Sequence, residues 1–151
     1  MTHDQIIKRA LTILGARIRR SDVLSSPHAV RDYLRLLLAG KQHEVFVCVH
    51  LDSQNRVIAC EELFRGTLTH TAVHPREVVK AALAHNAAAM IFCHNHPGGV
   101  CRPSLSDEML TATLSKARAL IEVRVLDHFI VSASGALSFA ENGMLGRYAA
   151  Y

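Results

Sequence analysis

No apolar run in this sequence reaches the roughly 18 residues that a membrane-spanning helix needs. The opening stretch, MTHDQIIKRALTILGARIRR, has neither the long apolar segment nor the small-residue cleavage site of a secretory leader. Four cysteines (Cys48, Cys60, Cys93 and Cys101) form no C-x-x-C pair and lie in or beside apolar segments. They read as reduced, mostly buried thiols of a cytoplasmic protein. Tryptophan is absent, tyrosine occurs three times, and no segment is repeated or low in complexity. With 50% hydrophobic and 20% charged residues, the 151 positions can bury a sizeable core. That excludes a disordered or collagen-like chain. The expectation is one soluble, intracellular domain. Histidine, present ten times, is the residue in excess.

Net positive charge is confined to the start of the chain. Residues 1–41 carry eight Lys/Arg and three Asp, a net +5, whereas residues 42–151 carry nine basic and ten acidic groups, a net −1. A basic arm over residues 1–25 could neutralise phosphates and give salt-sensitive affinity for DNA. A solvated helix face has the same composition.

Apolar residues from Ile6 to Ile18 keep close to a 3.6-residue period, which predicts a helix over residues 3–20. Ser25-Ser26-Pro27 opens a second helix running to about Gly40. The period then changes. Val45–Leu51 and Arg56–Ala59, around a short polar turn, predict a hairpin. Thr67–His74 fits no single element, and Pro75 starts a helix reaching about His85. Ala87–Cys93 is continuously apolar and reads as a strand buried on both faces. A Gly/Pro loop follows, then a helix over residues 104–120 opened by Ser104 and Asp107, and strands at Val123–Val131 and Leu137–Phe139. This alternation predicts a layered α/β domain between the arm and a tail at 143–151.

The most informative segment runs from His94 to Asp107. In an extended chain, residues i and i+2 point the same way, so His94 and His96 can present two imidazoles to one point. The loop through Pro97, Gly98 and Gly99 turns the chain back, and Asp107 arrives in the first turn of the next helix. Two nitrogens and one carboxylate make three protein ligands for zinc and leave a fourth position open, as catalytic sites do. Chance pairing of histidines and an ordinary helix cap would give the same letters. Position lifts the metal reading, because the ionisable groups follow directly on a buried strand, but spacing alone leaves both readings open.

H-x-H, ten residues and then Asp, with Ser104 three before that Asp, resembles the metal motif of the JAMM (MPN+) metalloprotease family. The RadC-like branch is closer still. Leu63–Leu68, Val73–Lys80, His94–Pro97 and Val123–Phe129 all resemble that branch, in its order. The resemblance covers residues 26–142. It implies a layered MPN (JAB) fold, a mixed sheet flanked by helices, akin to the cytidine-deaminase architecture. Two departures stand out. Gly98 replaces the serine usual before the loop glycine, and residues 1–25 are too few for the helix-hairpin-helix segment of longer members. The chain resembles the short, single-domain form.

The resemblance also implies roles. His94, His96 and Asp107 would hold Zn2+, and Ser104 would hydrogen-bond an oxyanion. A remote glutamate would act as general base. In the wider family it opens the first core strand after a helix, the place of Glu44 here, with Glu61 and Glu62 as rivals. His74 and His128 are weaker candidates for supporting the ligands. Asn95 is expected to shape the loop, and Cys93 and Cys101 to pack. The expected function is zinc-dependent hydrolysis of a peptide or isopeptide bond. The alternative is a DNA-associated RadC-like protein without peptidase activity. A cytidine deaminase is excluded, since H-x-E and P-C-x-x-C are both missing. The letters His94-Asn95-His96 carry no nuclease meaning, because HNH nucleases spread those residues over a ββα unit.

Overall fold

The computed structural model describes residues 1–66 and 72–145. Residues 67–71 of the stretch that fits no element, and 146–151 of the expected tail, lie outside the described residues. The elements are α1 (His3–Arg20), α2 (Pro27–Leu38), β1 (Val45–Leu51), β2 (Val57–Arg65), α3 (Pro75–Ala84), β3 (Ala89–Asn95), α4 (Leu105–Ala119), β4 (Arg124–Ser132) and β5 (Gly135–Ser138).

The five strands form one mixed sheet in the order β2-β1-β3-β4-β5. β3 and β4 run parallel across the α4 crossover, and every other neighbouring pair is antiparallel. Each helix starts on a local signal, a capping box or a proline in its first turn. Thr2 and Gln5 cap α1 reciprocally, Pro27 and Pro75 occupy the first turns of α2 and α3, and Ser104 with Asp107 caps α4. In the β1–β2 turn, Asp52 Oδ1 accepts the amides of Gln54 and Arg56, and Asn55 takes a positive φ of 61°.

Strand alternation sorts the core into two layers. Val45, Val47, Val49 and Leu51 pack with Ile91, Cys93, Phe129 and Val131 under Val30, Leu34 and Leu38 of α2 and Ile18 of α1. Phe46, Cys48, Met90 and Phe92 face the other way, toward Val78 and Ala82 of α3 and Leu114 of α4. The result is an α/β/α sandwich with β1 and β3 at its centre, buried at every position. This is a layered α/β fold with a mixed sheet flanked by four helices, as the resemblance implies.

The strands differ from the sequence-based prediction most in β3 and β2, while β4 and β5 lie at Arg124–Ser132 and Gly135–Ser138 in place of Val123–Val131 and Leu137–Phe139. β3 begins at Ala89 and continues through His94 and Asn95, because Asn86 (φ 52°) and Ala87 close the end of α3 with bonds to Leu83 and Ala82. β2 runs to Arg65 rather than Ala59. Its Glu61-Glu62 pair hides the strand pattern, and a register shift opposite Phe46/Val47 accommodates it.

Candidate metal centre

The site forms where β3 leaves the sheet. His94 and Asn95 are its last two residues, and the amide of His96 still bonds the Val131 carbonyl of β4. The turn closes with the Gly99 amide on the His96 carbonyl, and Gly99 takes φ 90°, which side-chain-bearing residues rarely adopt. α4 then brings back Asp107. Its carboxylate spans both rings, with Oδ1 3.1 Å from His94 Nε2 and Oδ2 3.1 Å from His96 Nε2. The two Nε2 atoms are themselves 3.1 Å apart.

Hydrogen bonds behind the rings fix which nitrogen faces the centre. His96 Nδ1 donates to the Val100 carbonyl at 2.8 Å. His94 Nδ1 lies 2.9 Å from His128 Nε2, His128 Nδ1 lies 2.7 Å from Thr111 Oγ1, and Thr111 Oγ1 donates to the Asp107 carbonyl. Burial drives the pKa of His128 well below 6.5, and the neighbouring His94 adds to that, so its ring is neutral. A neutral His128 accepts from His94 through Nε2 and donates to Thr111 through Nδ1. In the neutral, metal-binding form of each ring, the centre-facing Nε2 of His94 and of His96 is the atom that carries the lone pair.

Burial alone would raise the Asp107 carboxyl, but bonds to His94, His96 and the Ser104 amide hold it far below the usual carboxylate range. The His96 ring is raised above 6.5, chiefly by its bond to Asp107. Two imidazole nitrogens facing each other across a bridging carboxylate suit a borderline divalent cation, and the donor set fits zinc.

Glu44, at the entrance to β1, is buried, with a ligand atom within 4.8 Å of those of His94 and His96. Its neighbours are tied to β3 by Asn95, whose Oδ1 accepts the Val45 amide at 2.7 Å and whose Nδ2 donates to the His43 carbonyl. Glu61 lies elsewhere, bonded to His50 and His85, and Glu62 is at the surface near Lys41. Ser104 Oγ accepts the Asp107 amide, which leaves its hydroxyl proton available on the wall of the cleft. That cleft, of about 620 Å³, is lined by Glu44, the two histidines, Ser104 and Asp107, with Phe46, Val73 and Leu110 as apolar walls.

Other candidates fall outside this group. His74 is exposed, edge-on to Phe64. Cys93 points into the opposite layer, and Cys101 sits 2.9 Å from Ser132 Oγ. Gly98 lines the cleft, and a Cβ there would meet nothing within 4 Å, so the missing serine is not a steric demand. Thr111 is the residue that sequence reasoning missed. Its signal was its place four residues after Asp107, on the same helix face.

An α/β/α sandwich with one histidine at the end of its central strand, a second just beyond it and a helix-borne aspartate answering both defines a JAB-type domain. This chain belongs to the RadC-like JAB domain family, whose model matches residues 24–144. It is 61% identical over 140 residues to a UPF0758 protein of Thiobacillus denitrificans, covering 93% of this chain and 62% of that protein. It is 55% identical over 140 residues to one from Nitrosomonas eutropha, with the same coverage. A UPF0758 protein of a Janthinobacterium species is 61% identical over 122 residues, covering 81% of this chain and 54% of the relative. The chain thus spans under two thirds of the length of these relatives.

Proposed function

We propose that the chain is a zinc-dependent hydrolase that cleaves a peptide or isopeptide bond in the cleft beside His94, His96 and Asp107. The observation that supports this reading is the approach of the His94 and His96 Nε2 atoms to 3.1 Å, bridged by Asp107. A cation there would take the place of the protons that these nitrogens otherwise share with the carboxylate. A zinc ion held there would polarise a carbonyl and lower the pKa of a water toward about 7.

Glu44 takes the proton of the attacking water and returns it to the leaving amine, a transfer its buried place beside the histidines suits. Ser104 donates its hydroxyl proton to the oxyanion that develops on the substrate carbonyl. Phe46, Val73 and Leu110 give the substrate an apolar bed and exclude water from the reacting centre.

The test is hydrolysis of a peptide mixture and of isopeptide-linked model compounds, followed by mass spectrometry. Glu44→Gln is expected to keep its zinc and lose at least about a hundredfold in rate. An Asp107→Ala protein with full activity would remove the proposal. A second reading, DNA association without peptidase activity, draws on the exposed Lys8, Arg9, Arg17, Arg19 and Arg20 of α1.

A further inference from the structure

The sheet face that carries His94 holds a second cluster at its other end. His50 is the penultimate residue of β1 and is completely buried, Glu61 lies on β2, and His85 ends α3 as its C-cap. Phe46 pairs with His94 and His50 with Met90. The cluster is therefore four strand residues from the cleft, about 13 Å at the usual rise. Glu61 Oε1 receives both rings, His50 Nε2 at 2.8 Å and His85 Nε2 at 3.0 Å. The ring centroids are 4.4 Å apart, and the three donor atoms lie within 4.8 Å of one another.

Nothing in the proposed hydrolysis uses these residues. The rest of β1 beside Glu44 is Val45, Phe46, Val47, Cys48, Val49 and Leu51, so a histidine at position 50 places a polar ring where an aliphatic side chain would pack at less cost. Three separate elements bring their donors to one point. Two imidazole nitrogens and one carboxylate oxygen are a donor set for borderline transition cations, whereas Mg2+ and Ca2+ call for oxygen. The side chains of Glu61 and His85 are 36% and 31% exposed, so an ion can enter from solvent and keep water on its remaining positions.

We propose that His50, Glu61 and His85 form a second site for a divalent transition cation of the zinc class, separate from the His94 centre. The bound ion ties the β1–β2 hairpin to the C-terminal end of α3, the helix that follows Val73 of the cleft wall. It is a clamp on the far end of the same sheet face, and it stands whether or not the cleft is a hydrolase.

The test is zinc stoichiometry on the full chain, stripped by a chelator, reloaded and titrated against a chromophoric competitor that outbids weak surface histidines. The unaltered protein is expected to hold two equivalents, His94→Ala one, and His85→Ala one. The double variant is expected to hold none. No zinc in His94→Ala overturns the proposal, as does an unchanged zinc content in both His85→Ala and Glu61→Gln. Failure of the first centre has a different signature, since His94→Ala would then bind as much as the unaltered chain. A melting curve gives a second readout. In the His94→Ala background zinc is expected to raise the Tm, and that rise should vanish on adding His85→Ala. A Tm indifferent to zinc in the His94→Ala protein also overturns the site.

Discussion

His128 shows how a buried polar residue orders a site it does not touch. Both of its ring nitrogens are engaged, one by His94 and one by Thr111, and its ring stacks on Phe139 with centroids 4.8 Å apart. Replacing it with phenylalanine keeps the packing but leaves His94 Nδ1 and Thr111 Oγ1 without that partner. His128→Phe is expected to weaken zinc binding by about 10–100-fold, read by competition with a chelating dye, while the circular dichroism spectrum is unchanged. The pH dependence follows from His96. Zinc needs its Nε2 unprotonated, and the metal-free ring binds its proton more tightly than an ordinary histidine because Asp107 faces it. Zinc affinity is therefore expected to begin falling above pH 6.5 as the solution is acidified, by about tenfold per unit once that ring is mostly protonated. Affinity that stays flat from pH 8 to pH 6 would contradict this. The sequence put His94, His96 and Asp107 together through i/i+2 alternation and a helix cap, both local rules. The tie from His94 to His128 spans 34 residues and depends on parallel strand pairing, which no local pattern encodes.

At the scale of elements, the end of β3 decides the geometry. Its apolar run was legible, but the sequence-based strand ended at Cys93, because His94 and Asn95 look polar enough for a loop. They remain in the sheet since β4 pairs with both and β1 pairs with His94. Asn95 is the polar residue that makes this work. It bonds the backbone on both sides of Glu44 rather than only shaping the turn. Asn95→Ala is expected to cost about 1–3 kcal/mol in urea denaturation, since a buried amide and a carbonyl lose their partner. Its zinc content should stay the same, because the ligands are held by other bonds. The helices tell a simpler story. The periodic faces of α1 and α2 gave their extents closely, and Leu34, with no exposed surface, lies at the centre of the layer they cover. Leu34→Ala is expected to lose about 2–5 kcal/mol of stability, measured the same way.

In the whole molecule, the two core layers have different work. The layer under α1 and α2 is aliphatic, apart from Cys93 and Phe129, and holds the sheet. The layer under α3 and α4 carries the histidines, the cleft and the second cluster. Ile18 and Val23 join the first layer, so the basic α1 is seated on the domain while its arginines face solvent. If those charges meet DNA, retention on a DNA column at low salt should drop in an Arg17→Ser/Arg19→Ser/Arg20→Ser protein, with zinc content unaltered. Equal retention would leave the arm as a solvated helix face. The His94 centre is where the proposed chemistry takes place. Its most direct test is elemental analysis of chelator-stripped, zinc-reloaded protein, with His96→Ala alongside. Loss of one equivalent of zinc in His96→Ala is the predicted result, and identical zinc content in the two proteins would contradict the account.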